Sequence, residues 1–276
     1  MPTPIARLSD AILVGHLQTP LAGATVARPD DFQAVALRLL RANNFDQAPV
    51  VERGEPVGFV LTAAPSRTGR AKVRDVVQPI LPSAIAAEAT PLEEALPWLH
   101  TGGFLYLLRG QSIIGFVVPS DLNKQAGRSY AYIALAELEL RLADKVRAMA
   151  SQSEVLGLLQ PNEATAVAKR LRLHTEANVE ADLVSEMNLS HLLRIVGSDM
   201  SFLASASLTV EEWKRFSSGV TQLRNKVAHA TRALVETPRD VAELRQVSDA
   251  IPAVVDSLAQ TAETTSDRDT DLSAIE

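Results

Sequence analysis

The 276 residues contain no cysteine, which rules out disulfides, thiolate metal sites and cysteine nucleophiles. Long apolar runs are also missing: the longest, such as Phe104 to Leu108, are far too short to cross a bilayer. The N-terminus lacks a basic segment followed by an apolar core, so the expectation is a cytoplasmic protein, neither exported nor membrane-spanning. No Gly-rich phosphate loop, nucleophile elbow or paired-carboxylate motif is present. His16, His100, His174 and His191 have no companion at metal-ligand spacing, so no metal is expected and no cofactor is required.

Positive charge is in short supply. The net charge is -6, and residues 129–276 carry the imbalance, with 15 basic against 22 acidic side chains, while residues 1–128 hold 12 and 11. An acidic chain is not a general nucleic-acid binder; DNA is not expected, and any RNA contact must be local. The segment after Gln260, TAETTSDRDTDLSAIE, is polar, acidic and free of aromatics, and residues 263–276 are expected to form a disordered tail. The remainder, in a chain 46% hydrophobic and 22% charged, suffices for two compact units.

The N-terminal half reads as a duplication. Phe32, Val35, Ala36, Leu39 and Leu40 make a helical stripe before APVVERGEPVGFVL, from Ala48 to Leu61, with a turn at Arg53-Gly54. Thr90, Pro91 and Glu93 open a second helix before FLYLLRGQSIIGFVV, from Phe104 to Val118, with a turn at Arg109-Gly110. Gly58 follows Gly54 by four residues and Gly115 follows Gly110 by five, which predicts one inserted residue in the second copy. Pro97 falls inside the second helix, where a kink or an early end is expected.

Ala48-Pro49-Val50-Val51 with Gly58-Phe59-Val60, and Gly115-Phe116-Val117-Val118-Pro119-Ser120-Asp121-Leu122, resemble the CBS domain family over about residues 10 to 128. The resemblance implies an adenosine-type ligand, AMP, ADP, ATP or S-adenosylmethionine, near Pro49, Val118, Ser120 and Asp121. In that family a Ser/Thr and an aspartate close the second strand, and the aspartate holds a ribose. Asp121 occupies the aspartate position here, Val118 replaces the hydroxyl residue, and the first copy has Leu61 and Ala64 at both places. One competent pocket is the most these residues allow. Asp121 also fits a plain helix-capping role. The run Arg67, Arg70, Lys72 and Arg74 reads either as phosphate-binding or as a solvated linker.

Beyond Gly127 the strand patterns stop. Helices are expected at Tyr130 to Met149, from Pro161, at Glu180 to Val196, from Thr209, and from Pro238 to Ala259. Thr209 and Glu212 form a capping box, and Trp213, Phe216, Val220, Leu223, Val227, Ala230 and Leu234 recur at steps of three and four as a packing seam. On that helix lies Leu223-Arg224-Asn225-Lys226-Val227-Ala228-His229. If the helix runs through it, Arg224 and His229 diverge by about 140°, while Asn225 and His229, four apart, share a face.

This motif, with AELELRLADKVR as a first helix, resembles the HEPN superfamily over roughly residues 129 to 260. The resemblance implies a homodimer whose paired motifs form a composite site, an RNA substrate, metal-independent cleavage, and room for a neutralising protein partner. His229 would be general acid or base, Arg224 would stabilise phosphate charge, and Asn225 would orient. The alternative is a surface cation and a solvated histidine on a polar helix face. The fold expected is α+β: tandem CBS-like βαββα repeats over 1–128, then an all-α HEPN-like bundle over 129–262. The function expected is either a ligand-gated ribonuclease or a non-catalytic regulator whose helical domain serves dimerisation or partner binding.

Overall fold

The computed structural model describes residues 8–64, 70–149 and 151–272. The chain is α+β and divides into two compact units, Asp10–Gly127 and a second built largely from Arg128 onward. Among the described residues no helix is long and apolar enough to cross a membrane.

The first unit contains β1 (Thr19–Pro20), α1 (Gln33–Ala42), β2 (Gln47–Glu52), β3 (Glu55–Leu61), β4 (Ile85–Ala87), α2 (Leu92–Gly102), β5 (Leu105–Arg109) and β6 (Ser112–Val117). Each hairpin lies between a parallel neighbour and an antiparallel one. β5-β6 is flanked by β4, parallel to β5, and by β1, antiparallel to β6. β2-β3 is flanked by single bridges, Ala27 parallel to Val50 and Gln78 antiparallel to Phe59. The segments beside β6 and β3 are exchanged: residues 13–20 precede the first copy but pack on the second, and residues 72–79 precede the second but pack on the first. The hydrogen bonds repeat accordingly. Val14 N–H reaches Thr90 O at 2.8 Å and Gly15 N–H reaches Glu88 O at 2.9 Å; Val73 N–H reaches Asp31 O and Arg74 N–H reaches Pro29 O, both at 3.0 Å.

The core repeats in the same way. Ala27, Ala36, Leu37, Leu40, Ala48, Val50, Val60, Val73 and Val76 form one buried cluster. Their counterparts Ala86, Ala95, Leu96, Leu99, Leu105, Leu107, Val117, Val14 and Leu17 are all buried too. Each cluster thus depends on two apolar residues borrowed from the other copy's leading segment. The glycine of each Gly-aromatic-Val triplet follows from this exchange: a Cβ on Gly58 would lie 2.3 Å from Gln78 O, and one on Gly115 would lie 2.6 Å from Thr19 O. Only glycine lets the borrowed segment approach so closely.

The expected one-residue insertion is corrected. Glu52 pairs with Glu55 across Arg53-Gly54, and Arg109 pairs with Ser112 across Gly110-Gln111, so Gly58 and Gly115 stand at the same register. Both strands also bulge at the same step, between Val50 and Val51 and between Leu107 and Leu108. Arg53 and Gly54 have φ of 52° and 91°, as a two-residue turn matching strand twist requires. Pro97 does not shorten α2, which keeps 11 residues against 10 in α1.

The helical unit comprises α3 (Gln125–Met149), α4 (Gln152–Gly157), α5 (Pro161–Glu176), α6 (Leu189–Ser198), α7 (Met200–Ser205), α8 (Val210–Ala228) and α9 (Pro238–Leu272). α3 buries Tyr130, Ala134, Leu138, Leu142 and Val146 along one stripe. The capping box of α8 forms as expected: Glu212 N–H donates to Thr209 Oγ1 at 3.2 Å, and Thr209 N–H donates to Glu212 Oε2 at 2.8 Å. Three expectations are corrected. The helix expected from Glu180 starts at Leu189, where Asn188 Oδ1 accepts His191 N–H at 3.0 Å. α8 stops at Ala228, so Ala230, which is exposed, and buried Leu234 belong to the following loop and not to a helical seam. α9 continues to Leu272, past Ala259 and into the segment expected as a tail, of which residues 273–276 lie outside the described residues.

Candidate functional site

The first candidate lies where β6 ends. A 3-10 turn, Pro119–Asn123, follows directly, and Asp121 curls back so that its Oδ2 accepts Val118 N–H at 2.8 Å. Asp121 therefore caps its own turn from the third position rather than preceding a helix. Among the described residues of 10–127 it is the one buried Asp, Glu, Lys, Arg or His side chain, 7% exposed. A buried carboxylate needs partners, and Oδ1 receives them from Thr19 Oγ1 at 3.2 Å and Lys124 Nζ at 2.8 Å. Sequence reasoning missed both partners. Thr19 comes from the exchanged leading segment, while Lys124 lies only three residues on, a spacing that was legible.

Val118 and Asp121 are thus brought together, with Ser120 beside them and exposed. Pro49 is buried in β2 of the other copy, its carbonyl accepting Ala27 N–H at 2.9 Å. The two hairpins meet through stacked rings: Phe104 lies 5.4 Å from Phe59 and 5.1 Å from Phe116, nearly parallel to both. Tyr106 Oη, fully buried, donates to Gly58 O at 2.6 Å, and burial pushes its phenol far above the ordinary value. Of the basic run, Arg67 lies outside the described residues. Lys72 donates to Asp30 O at 2.6 Å and covers the Phe32 ring at 3.7 Å, and Arg74 pairs with the Asp30 carboxylate.

The second candidate is the C-terminal end of α8. His229 follows the last helical residue with φ −103° and ψ 90°, so the face it was expected to share with Asn225 does not exist. Arg224, Asn225 and His229 are all exposed, and among the described residues none of the three side chains has a hydrogen-bond partner. Arg224 and Asn225 line a small cleft of about 90 Å³ with Thr221, Asn188, Leu189 and Ser190. One chain does not unite Arg224, Asn225 and His229 in a single pocket.

Lys226, between them in sequence, turns the other way. Its Nζ lies 2.5 Å from Asp240 Oδ1 at the start of α9, beside a groove of about 580 Å³ floored by Leu223, Leu234, Leu244 and Val247. Asp240 Oδ2 also accepts Thr237 N–H and Thr237 Oγ1, each at 2.8 Å, and Glu236 N–H at 3.1 Å. Burial alone would raise the Asp240 carboxyl, but these donors, Lys226 foremost, hold it well below the usual carboxylate range. The loop that begins with His229 is therefore pinned at both ends, and buried Leu234 and Val235 anchor its middle. Arg128 reaches the same turn, its Nη1 3.4 Å from Lys226 O.

Three of the four other histidines have structural roles. His16 Nδ1 accepts Leu13 N–H at 3.1 Å, His174 pairs with Glu186 at 2.6 Å, and His191 is buried over Asn188. Among the described residues no cluster of three His, Asp or Glu side chains is placed to hold a metal ion.

No family model and no curated protein matches the chain. Solved CBS-domain structures match its N-terminal two-fifths. The CBS domain of the bacterial CNNM/CorC family Mg2+ transporter in complex with ATP is 14% identical, over 41% of this chain and 86% of that one, with a TM-score of 0.36. CBSX2 in complex with AMP is 22% identical, over 40% and 92%, at 0.35. The CBS domains of a transcriptional regulator from Streptococcus pneumoniae are 19% identical, over 40% and 95%, also at 0.35.

Proposed function

We propose that residues 10–127 are a CBS-like pair that senses an adenine nucleotide at the Asp121 site. The observation that carries this reading is a buried carboxylate at the end of the second hairpin of a duplicated unit, in the copy that kept it. A carboxylate there can accept hydrogen bonds from both hydroxyls of a ribose. The first copy, with Ala64 at the matching position, contributes none, so the stoichiometry is one ligand per chain. Calorimetric titration with AMP, ADP, ATP and S-adenosylmethionine tests it, starting from ATP and AMP, the ligands carried by the transporter domain and by CBSX2. One of the four is expected to bind, at least tenfold more weakly to Asp121→Asn, which keeps a side-chain oxygen for the Val118 cap. Absence of heat with all four ends the sensor reading.

A second reading concerns the helical unit, as a metal-independent endoribonuclease of HEPN type working as a homodimer. It is favoured by one observation: Arg224, Asn225 and His229 are exposed and have no fold-holding partner among the described residues, unlike neighbouring Lys226. His229 would take the proton from an RNA 2′-hydroxyl as its oxygen bonds to the adjacent phosphorus, the bond to the 5′-oxygen would break with that oxygen taking a proton from water, and Arg224 would meet the charge developing on the phosphate oxygens. Because one chain leaves these groups apart, a second copy must complete the site. The assay is RNA cleavage by purified protein beside His229→Ala and Arg224→Ala, with inspection for 2′,3′-cyclic phosphate ends. Cleavage lost in both variants supports the reading. Equal activity in all three proteins leaves the helical unit as a dimerisation or partner-binding module.

A further inference from the structure

We infer that Lys124 is a tethered occupant of the Asp121 site, which a ligand must expel to reach the carboxylate, and whose expulsion loosens the strand lent by the first copy to the second sheet. The inference rests on the nucleotide-sensing reading and adds the device that regulates it. Lys124 Nζ is surrounded by four oxygens: Asp121 Oδ1 at 2.8 Å, Leu17 O at 2.8 Å, Thr19 Oγ1 at 3.0 Å and Gln18 O at 3.1 Å. An ammonium has three protons, so this one is saturated. Thr19 Oγ1 donates to the same Oδ1 at 3.2 Å, and Oδ2 is engaged by Val118 N–H. A vicinal diol needs acceptor positions on both oxygens of the carboxylate, and the Oδ1 side is filled by a cation and a hydroxyl of the protein itself.

The arrangement is built to open. The Lys124 side chain is 41% exposed while that of Asp121 is only 9% exposed, so the lysine can swing into water without disturbing the capped turn beneath it. Leaving removes its bonds to three consecutive residues, Leu17, Gln18 and Thr19. Those residues lead into β1, a strand of two residues paired with β6 at Thr19 opposite Phe116 and Pro20 opposite Gly115, with Gln18 Nε2 and Leu21 N–H donating to Ile114 O at 2.9 and 3.4 Å. Ligand arrival and release of this edge are then one event: the ligand's free energy is spent partly on displacing the lysine, and the freed strand reports that the site is full.

Two measurements on the full-length protein test this, with AMP and ATP as probes. In the first, both are titrated into wild type, Lys124→Met and Lys124→Arg. Loss of a part-exposed ionic competitor is expected to tighten binding to Lys124→Met by about five- to tenfold, while Lys124→Arg stays near wild type. In the second, which needs no variant, hydrogen exchange of the backbone amides of Leu17, Gln18, Thr19 and Leu21 is followed with and without saturating ligand. Faster exchange in the bound state is expected. If wild type binds but Lys124→Met binds no more tightly, or if exchange at 17–21 is unchanged or slower with ligand, the occupant idea is overturned and the sensor reading stands. If neither nucleotide binds wild type or Lys124→Met, and ADP and S-adenosylmethionine also fail, both fall together.

Discussion

Asp240→Asn should destabilise the helical unit through one side chain that does two jobs. Asp240 closes a capping box with Thr237 at the start of α9, and it is the counter-ion of Lys226 at the end of α8. An asparagine cannot serve both, because its amide nitrogen must face either an N–H or an ammonium, each a donor. Losing half of a capping box costs about 1 kcal/mol. The ion pair is neither surface nor core, with side chains 32% and 17% exposed, so its rupture lies between the values for exposed and buried pairs, about 1–2 kcal/mol. The total of about 2–3 kcal/mol corresponds to a fall of roughly 5–10 °C in the melting temperature of a unit this size. Calorimetry of wild type, Asp240→Asn, Lys226→Met and the double variant measures it, read on the transition of the helical unit, with a coupling of about 1–2 kcal/mol between the sites. The pH dependence has a definite sign. A carboxyl held below its ordinary value contributes stability that is present above about pH 4 and lost as the pH falls below it, and this loss should be smaller in Asp240→Asn. An unchanged melting temperature, or strictly additive single variants, would refute the argument. If the helical unit cleaves RNA, Asp240→Asn should also slow cleavage by about ten- to a hundredfold, since the loop opening with His229 loses its clamp.

Gly58→Ala is expected to lower stability by about 3 kcal/mol, because its Cβ would press on Gln78 O and on Val77 and force apart the Phe59–Gln78 pair; urea titration gives the value, and a neutral result would mean the leading segments are not seated as described. Tyr106→Phe removes the hydroxyl donated to the buried Gly58 carbonyl and should cost about 1 kcal/mol, measured the same way. Burial holds the His191 imidazole below its ordinary value, against the nearby Glu163, and its Nδ1 accepts Asn188 N–H at 3.3 Å. The neutral ring is therefore the folded form. Its stability is present above about pH 6.5 and declines as the pH falls below that, so the melting temperature should drop between pH 7.5 and 5.5 in wild type and less in His191→Gln.

What could be read in the sequence was whatever local chemistry spells out. Alternation and turn residues mark the two hairpins, Thr209 and Glu212 mark the start of α8, and the motif around Asp121 marks the end of β6. The leading segments escaped because their contacts are non-local. Residues 13–20 and 72–79 form single bridges, short turns and a two-residue strand, none long enough to show a period. The apparent insertion arose from aligning Gly54 with Gly110, when the turn pairs Arg53-Gly54 and Gly110-Gln111 are the equivalents. The end of α8 was hidden for the opposite reason: Ala230 and Leu234 continue a helical spacing past the point where no glycine or proline announces a stop, while Lys226 and Asp240, fourteen residues apart, close the loop.

The exchange of leading segments also explains why the two copies can differ in chemistry while keeping one shape. Each hydrophobic cluster draws Val14 and Leu17, or Val73 and Val76, from outside its own hairpin, so neither copy completes its core alone and loss of either should unfold both. What each cluster needs from the end of its hairpin is only a chain that turns, and Ala64 meets that need as well as Asp121 does. Substitution at the polar positions was therefore structurally inexpensive in the first copy. In the second, the aspartate is embedded in bonds to Val118, Thr19 and Lys124, and removing it would leave an ammonium and a hydroxyl facing an empty place at the joint between the copies. On the proposed sensor reading, a charge in that position, where apolar packing would be the simpler solution, serves the ligand rather than the fold.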